Sequence, residues 1–298
     1  MRELMLKLIK AAERLVNDNT ETSLPLISPA MCERARKAVD AMEQAMEESD
    51  IMAFNKALIR LYSAIPRSMK GRDFLEFSTE GLDKRLKWEA EFLDAVEGAV
   101  KGMKIPEKVQ ENDKTSVIMR ENGLTGEEAS EEDLKAIRRL MGPDAHKLVR
   151  AWKVRNANTE SRFQNCGVGN RRLLWHGSDT GNFLSILTNG LSLSKACAGM
   201  FGRGIYFAPD FDKSRGYCSA RNCRWHGGND STAMLGIFEV AMGNPLNLTG
   251  ADTSLSCSSP RLRGKDCAWG HKGHSLMRDE IIIYREKQCT IRYIVETT

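Results

Sequence analysis

No run of apolar residues in this 298-residue sequence approaches the ~20 needed to cross a bilayer, so a membrane-spanning helix is excluded and no membrane partner is expected. The opening residues, MRELMLKLIKAAERL, scatter charges through their apolar positions. That pattern lacks the unbroken apolar core of a signal peptide. There is no lysine/arginine run long enough for a nucleic-acid-binding arm. A P-loop and internal repeats are also missing. Charge of one sign is in short supply: 44 basic residues face 40 acidic ones, for a net charge of +4. So mild a balance does not by itself demand a nucleic acid.

What is present is ordinary for a globular protein: 41% hydrophobic and 28% charged residues. That is ample for a core and rules out a disordered tail or a disulfide scaffold. The length suggests two domains, or one large one. The charge is uneven along the chain, with 17 basic and 18 acidic residues in 1–104 against 27 and 22 in the remainder. An anionic ligand in the second part is permitted. The eight cysteines are dispersed, which points to reduced thiols in an intracellular protein.

The first hundred residues carry helical periodicity. Leu4, Leu8, Ala12 and Leu15 fall on one face. Ser28-Pro29 is a helix start, followed by Met31, Ala35, Val39, Met42 and Met46 at the same period. A third helix is expected from about Asp50 to Ala64, stopping at Pro66, and a fourth carries Leu82, Leu86, Leu93, Val96 and Val100. Such stripes need apolar partners, so residues 1–104 read as a helical bundle. Residues 101–131 are polar and look like a connector. Ser130 and Asp133 have capping-box spacing and open a helix with Leu134, Ile137 and Leu140 inward.

Beyond residue 146 strands dominate: 148–154, 171–175, 204–208, 234–242, 280–286 and 289–296. Ile291, Tyr293 and Val295 alternate as in a half-buried strand, and the short link 286–288 suggests that the last two strands pair as a hairpin. Residues 249–275 read as one long loop. The fold class is α+β: an N-terminal all-helical bundle (1–104), then a mixed, antiparallel-rich β-sheet domain (105–298).

Three segments stand out where strands meet loops: LLWHGS (173–178), MFGRGIYFA (200–208) with its continuation to Cys218, and RDEIIIY (278–284). Gly202-x-Gly204 precedes a strand and lacks the third glycine of a dinucleotide fingerprint. Taken together, the segments resemble the catalytic domain of poly(ADP-ribose) polymerases. That family's His–Tyr–Glu signature is matched by His176, Tyr206 and Glu280, and Lys213-Ser214-x-x-Tyr217 matches its second motif. The helices resemble the regulatory helical domain of the DNA-damage-responsive members, the closest stretches being LMLKLIKAAERLV and ALIRLYSAIPRS. Before Glu280 the better-known polymerases have Tyr-Asn, where this chain has Arg278-Asp279.

The resemblance implies a substrate, NAD, and roles for each residue. Glu280 would stabilise the oxocarbenium-like ribose and accept a proton from the incoming hydroxyl. The backbone of Gly177 and the hydroxyl of Ser214 would read the nicotinamide carboxamide. Tyr206 and Tyr217 would sandwich the pyridinium. His176 would hold the adenosine-side ribose, with Ser178 beside it in the NAD-binding set. Protein acceptors, including the chain itself, and a DNA-damage or other activating partner are implied. So is a bundle that hinders NAD access until a signal loosens it. Mono-ADP-ribosyl transfer is the alternative activity, and an inactive NAD or ADP-ribose reader is the non-enzymatic one; retention of Glu280 favours the polymer. No metal is assigned. Cys218, Cys223 and His226 supply only three of the four ligands that zinc wants, although the tankyrases hold a zinc in a corresponding insertion.

Overall fold

The computed structural model describes residues 1–22, 24–68, 73–102, 114–193, 198–225, 228–274 and 276–298. The boundary expected between residues 104 and 105 lies outside them. Four helices build the N-terminal part: α1 (Arg2–Asn19), α2 (Pro29–Glu47), α3 (Ile51–Ala64) and α4 (Leu82–Gly102). α2 begins at the expected signal: Ser28 Oγ accepts from Met31 N at 3.3 Å, and Pro29 stands at the first helical position. Asp50 caps α3, its carboxylate accepting from Ala53 N at 2.9 Å. Leu4, Leu8, Ala12, Val39, Met42, Leu86, Leu93 and Val96 are buried as their period predicts. Leu15 is only partly buried, and Val16 takes the inward place.

Inside this bundle lies a charged cluster. Arg67 Nε and Nη2 donate to Glu89 Oε2 at 3.1 and 2.9 Å. Tyr62 OH donates to Glu89 Oε1 at 2.5 Å and accepts from Arg85 Nη2 at 2.6 Å. The Arg67 guanidinium also lies 4.0 Å from the Phe92 ring centroid.

The expected connector is not bare. Its described part holds α5 (Lys114–Glu121) and β1 (Leu124–Glu128), which pairs antiparallel with β2 (Leu148–Asn156). In β1 only Leu124 is buried, so this edge strand leaves almost no apolar pattern to read. α6 (Glu131–Met141) has the predicted capping box, with Ser130 Oγ accepting from Asp133 N at 3.2 Å.

The remaining elements are α7 (Ala157–Gln164), β3 (Arg171–Gly177), α8 (Phe183–Asn189), β4 (Ala198–Gly199), β5 (Gly202–Arg203), β6 (Ile205–Phe207), α9 (Phe211–Arg215), β7 (Ala233–Ala241), β8 (Pro245–Leu248), β9 (Cys267–Gly270), β10 (Glu280–Ile283) and β11 (Cys289–Thr297). Among the described residues the strands form a five-stranded sheet of order β1-β2-β11-β7-β3, a four-stranded sheet of order β6-β10-β9-β8 and a two-stranded pair β4-β5. All pairings are antiparallel except β8 with β9. The fold is α+β.

Three expectations change. β10 and β11 do not pair: β10 lies between β6 and β9, whereas β11 lies between β2 and β7. Their short link crosses between the sheets, pinned by the buried Gln288 amide, which donates to Ala241 O and Asp266 O, both at 2.9 Å. The alternation in β11 is broken by an irregularity between Ile291 and Tyr293, after which Ile294 and Val295 are both buried. The presumed loop 249–275 contains β9, a buried strand whose four residues are too few to show a period.

The helical part and the sheets share one apolar core, which runs from Leu4 and Leu93 to Phe183 and Ile294. α4 crosses α8 so closely that a Cβ on Gly98 would stand 2.4 Å from Ser185 Cβ. Ion pairs from α1 also join the helical part to the sheet domain: Lys7 with Glu296 at 2.9 Å and Arg14 with Asp230 at 2.8 Å.

Candidate active site

The site forms where edge strands of the two sheets meet. β3 touches the segment after β6 through a bridge, with Trp175 N donating to Ala208 O at 2.8 Å and Ala208 N to Trp175 O at 3.0 Å. His176 follows that bridge. Its Nδ1 is 2.9 Å from Tyr206 O, and a carbonyl can only accept, so Nδ1 carries the proton and Nε2 is left as an acceptor. β6 pairs with β10 so that Ile281 faces Phe207 and Ile282 faces Tyr206. Extending the register by one residue puts Glu280 opposite Ala208. Glu280 and Tyr206 then share one face of the sheet. Three residues from distant parts of the chain are gathered by two strand pairings.

α9 closes the side of this cleft. Its Phe211 packs on Trp175 with centroids 5.1 Å apart. It carries buried Ser214, and Tyr217 follows it. The end of β3 accommodates α9 only because residue 177 is glycine: a Cβ there would lie 1.8 Å from Ser214 O. Ser178 Oγ accepts from Asn182 Nδ2 at 2.9 Å. Tyr206 OH donates to Gly202 O at 2.7 Å and accepts from Phe201 N at 3.0 Å, which fixes its ring.

The electrostatics agree with this proximity. Burial pushes the Tyr206 and Tyr217 hydroxyls above the ordinary tyrosine value, and the nearby Glu280 charge raises both further. Burial holds the His176 imidazole below its ordinary value, and Lys87 adds to the depression against the opposing hydrogen bond to Tyr206. The ring packs on Phe207 and Phe238 at 5.7 and 5.8 Å. At neutral pH His176 is uncharged.

Several contacts were not assigned from sequence. Glu280 is 7% exposed and is met by Lys213 of α9, Nζ to Oε1 at 2.5 Å. The signal lay in the matched motif, where Lys213 precedes Ser214. Lys87 of α4 reaches to 5.5 Å from the Tyr217 ring centroid, and the stripe pattern of α4 gave no sign of it. Tyr217 also stacks on Trp225, centroids 6.2 Å apart. Asp279 is held by its own neighbours. It accepts from Trp269 Nε1 at 2.9 Å and Lys272 N at 2.8 Å. Burial pushes its pKa up, but these hydrogen bonds outweigh it and hold the carboxyl below the ordinary range.

Cys218 and Cys223 are buried with sulfurs 3.2 Å apart, and burial pushes the Cys218 thiol up to about 12. His226 lies outside the described residues. Among the described residues no group of three or more His, Cys, Asp or Glu side chains could hold a metal ion, and no helix is long and apolar enough to cross a membrane.

Comparison with known proteins gives the same direction. Residues 132–274 match the poly(ADP-ribose) polymerase catalytic domain. That stretch holds His176, Tyr206, Ser214 and Tyr217; Glu280 follows it. The chain is 32% identical over 181 residues to protein mono-ADP-ribosyltransferase PARP3 of Mus musculus, covering 50% of this chain and 33% of that protein. It is 31% identical over 183 residues to poly(ADP-ribose) polymerase 2-A of Oryza sativa subsp. japonica, covering 51% and 27%. Against poly(ADP-ribose) polymerase of Drosophila melanogaster it is 32% identical over 178 residues, covering 50% and 17%. The chain thus spans a third or less of the length of these relatives.

Proposed function

We propose that this chain carries a poly(ADP-ribose) polymerase catalytic domain and works as an NAD-dependent ADP-ribosyltransferase. The observation that carries the reading is the convergence of His176, Tyr206 and Glu280 through two strand registers, beside the glycine-floored contact of Gly177 with α9.

The chemistry follows from these groups. The bond between the nicotinamide nitrogen and ribose C1′ breaks, and its electron pair stays on the ring, which leaves neutral. The developing cation at C1′ is stabilised by the Glu280 carboxylate, which also accepts a hydrogen bond from the ribose 2′-hydroxyl. The acceptor oxygen then bonds to C1′ and passes its proton to Glu280. Tyr206 and Tyr217 flank the pyridinium, Gly177 and Ser214 hold its carboxamide, and the bare Nε2 of His176 accepts from the adenosine-side ribose.

The finer reading is chain building on protein acceptors, the protein itself included, because Glu280 can serve a ribose hydroxyl as well as a side chain. Lys87 over the Tyr217 ring supports a gate, with the helical part (1–104) limiting NAD access until a DNA-damage or other partner loosens it. The test is labelled NAD followed by a denaturing gel, with and without broken DNA. A ladder or smear supports the polymerase. One sharp band makes the chain a mono-ADP-ribosyltransferase. Absence of both label and free nicotinamide overturns the enzymatic reading.

A further inference from the structure

Five charged groups crowd the junction of α9 and β10. Three are carboxylates, Asp210, Asp212 and Glu280; two are cations, Lys213 and Arg278. Lys213 follows Asp212 directly in the chain, yet its ammonium goes to Glu280 at 2.5 Å. Both aspartates are held by Arg278, which pairs with Asp210 through Nη1 and approaches Asp212 through Nη2 at 3.4 Å. Arg278 thus ties the residues leading into β10 to the first turn of α9, from the same two elements that the Lys213–Glu280 pair joins.

α9 has five residues, too few to be stable alone, so its pose depends on such ties. Without Arg278, one ammonium would stand among three carboxylates. Lys213 would be shared, and Glu280, nearly buried, would lose a fixed partner. A carboxylate that must aim at one hydroxyl and one carbon loses rate when its direction blurs.

Taking Glu280 as the catalytic carboxylate, on which this rests, we propose that Arg278 is a positioning residue for transfer: it sequesters Asp210 and Asp212 so that Lys213 remains on Glu280.

The test uses the full chain with Arg278→Ala, Arg278→Lys, Asp212→Asn and the double variant Arg278→Ala/Asp212→Asn, with folding checked by thermal melts. Arg278→Ala is expected to lose on the order of tenfold in kcat with KM for NAD little moved. The double variant should regain part of that loss, because Asp212, one of the two competing carboxylates and the one next to Lys213, is gone. Asp212→Asn alone should stay near the parent, and Arg278→Lys should keep most of the rate. The 15N ammonium resonance of Lys213, assigned with Lys213→Arg, reads the same contact without turnover. It should be present in the parent and the double variant and lost in Arg278→Ala. The proposal is overturned if Arg278→Ala keeps the parental kcat and resonance. It is also overturned if the double variant is no faster than Arg278→Ala, or if Arg278→Lys is as slow as Arg278→Ala. Should the parent release no nicotinamide, the enzymatic reading fails, while the resonance still decides what Arg278 does.

Discussion

At the residue scale the proposed function rests most on Glu280. Glu280→Gln keeps the shape but removes the charge, and losing one well-placed stabiliser costs ~10²–10³ in rate. Elongation should fall further than nicotinamide release, since only elongation also needs a proton acceptor. Long polymer at the parental rate, read on the labelled-NAD gel, would remove Glu280 from catalysis. His176 makes a different prediction. Its folded value is depressed, chiefly by burial, from the ordinary 6.5. Above that pH neither the folded nor the unfolded chain holds the proton, so its contribution is fully present. As pH falls through 6.5 toward the lower folded value, the unfolded chain binds the proton first and stability declines. Denaturant melts of the parent and His176→Gln between pH 7.5 and about 5.5 test this; equal pH slopes would refute it. His176, Tyr206, Ser214, Tyr217 and Glu280 could be singled out because the three segments that hold them, weak one at a time, together resemble one family's motifs. Lys213 was visible but had no assigned partner. Lys87 was not legible at all, because the ring it covers lies on an element far along the chain and only the packed fold joins them.

Elements were legible in proportion to their length. α2, α3 and α6 begin at Ser28, Asp50 and Ser130, where side-chain oxygens cap backbone N–H groups, and that chemistry is local. Short strands fared unevenly. β10 stands within the expected segment 280–286, as Glu280–Ile283, whereas β9, with four residues, lies inside a segment expected to be a loop, because so short a run shows no period. The link before β11 could not disclose that it crosses between sheets, because Gln288 finds its carbonyl partners on distant segments. The helices also hide a polar core that periodicity does not detect. Glu89 is 0% exposed and the Arg67 side chain 2%, so each needs the other. Arg67→Met should destabilise the protein by about 3–5 kcal/mol, because it strands a buried carboxylate. Glu89→Gln in the same background should recover part of the loss. Chemical denaturation measures both. A loss below about 1 kcal/mol would mean that Tyr62 and Arg85 suffice to satisfy Glu89.

Across the whole molecule, the helical part is both a structural partner and a candidate gate. It shares the core that runs from Leu4 to Ile294, and α4 meets α8 at Gly98 in near backbone contact. Removing it would bare a large apolar face, so a truncated chain tests solubility as much as gating. A point change separates the two. The Lys87 ammonium stands over Tyr217 and lowers the proton affinity of His176, so it lies where a pyridinium cation would compete with it. It is a side chain of α4 with about half its surface exposed, and its loss should not disturb the core. A cation over an aromatic ring contributes about 0.5–1 kcal/mol at such a site, so Lys87→Ala should lower KM for NAD about two- to fivefold, with kcat nearly unchanged. Lys87→Arg keeps the charge and stacks as well on the ring, so its KM should stay near that of the parent. The opposing argument is electrostatic as well: an ammonium at the cleft can attract the pyrophosphate of NAD, in which case Lys87→Ala would raise KM. Steady-state NAD kinetics on the two variants distinguish these cases by sign. A raised KM in the Ala variant would make Lys87 part of the binding site, and the gate would have to rest on other contacts.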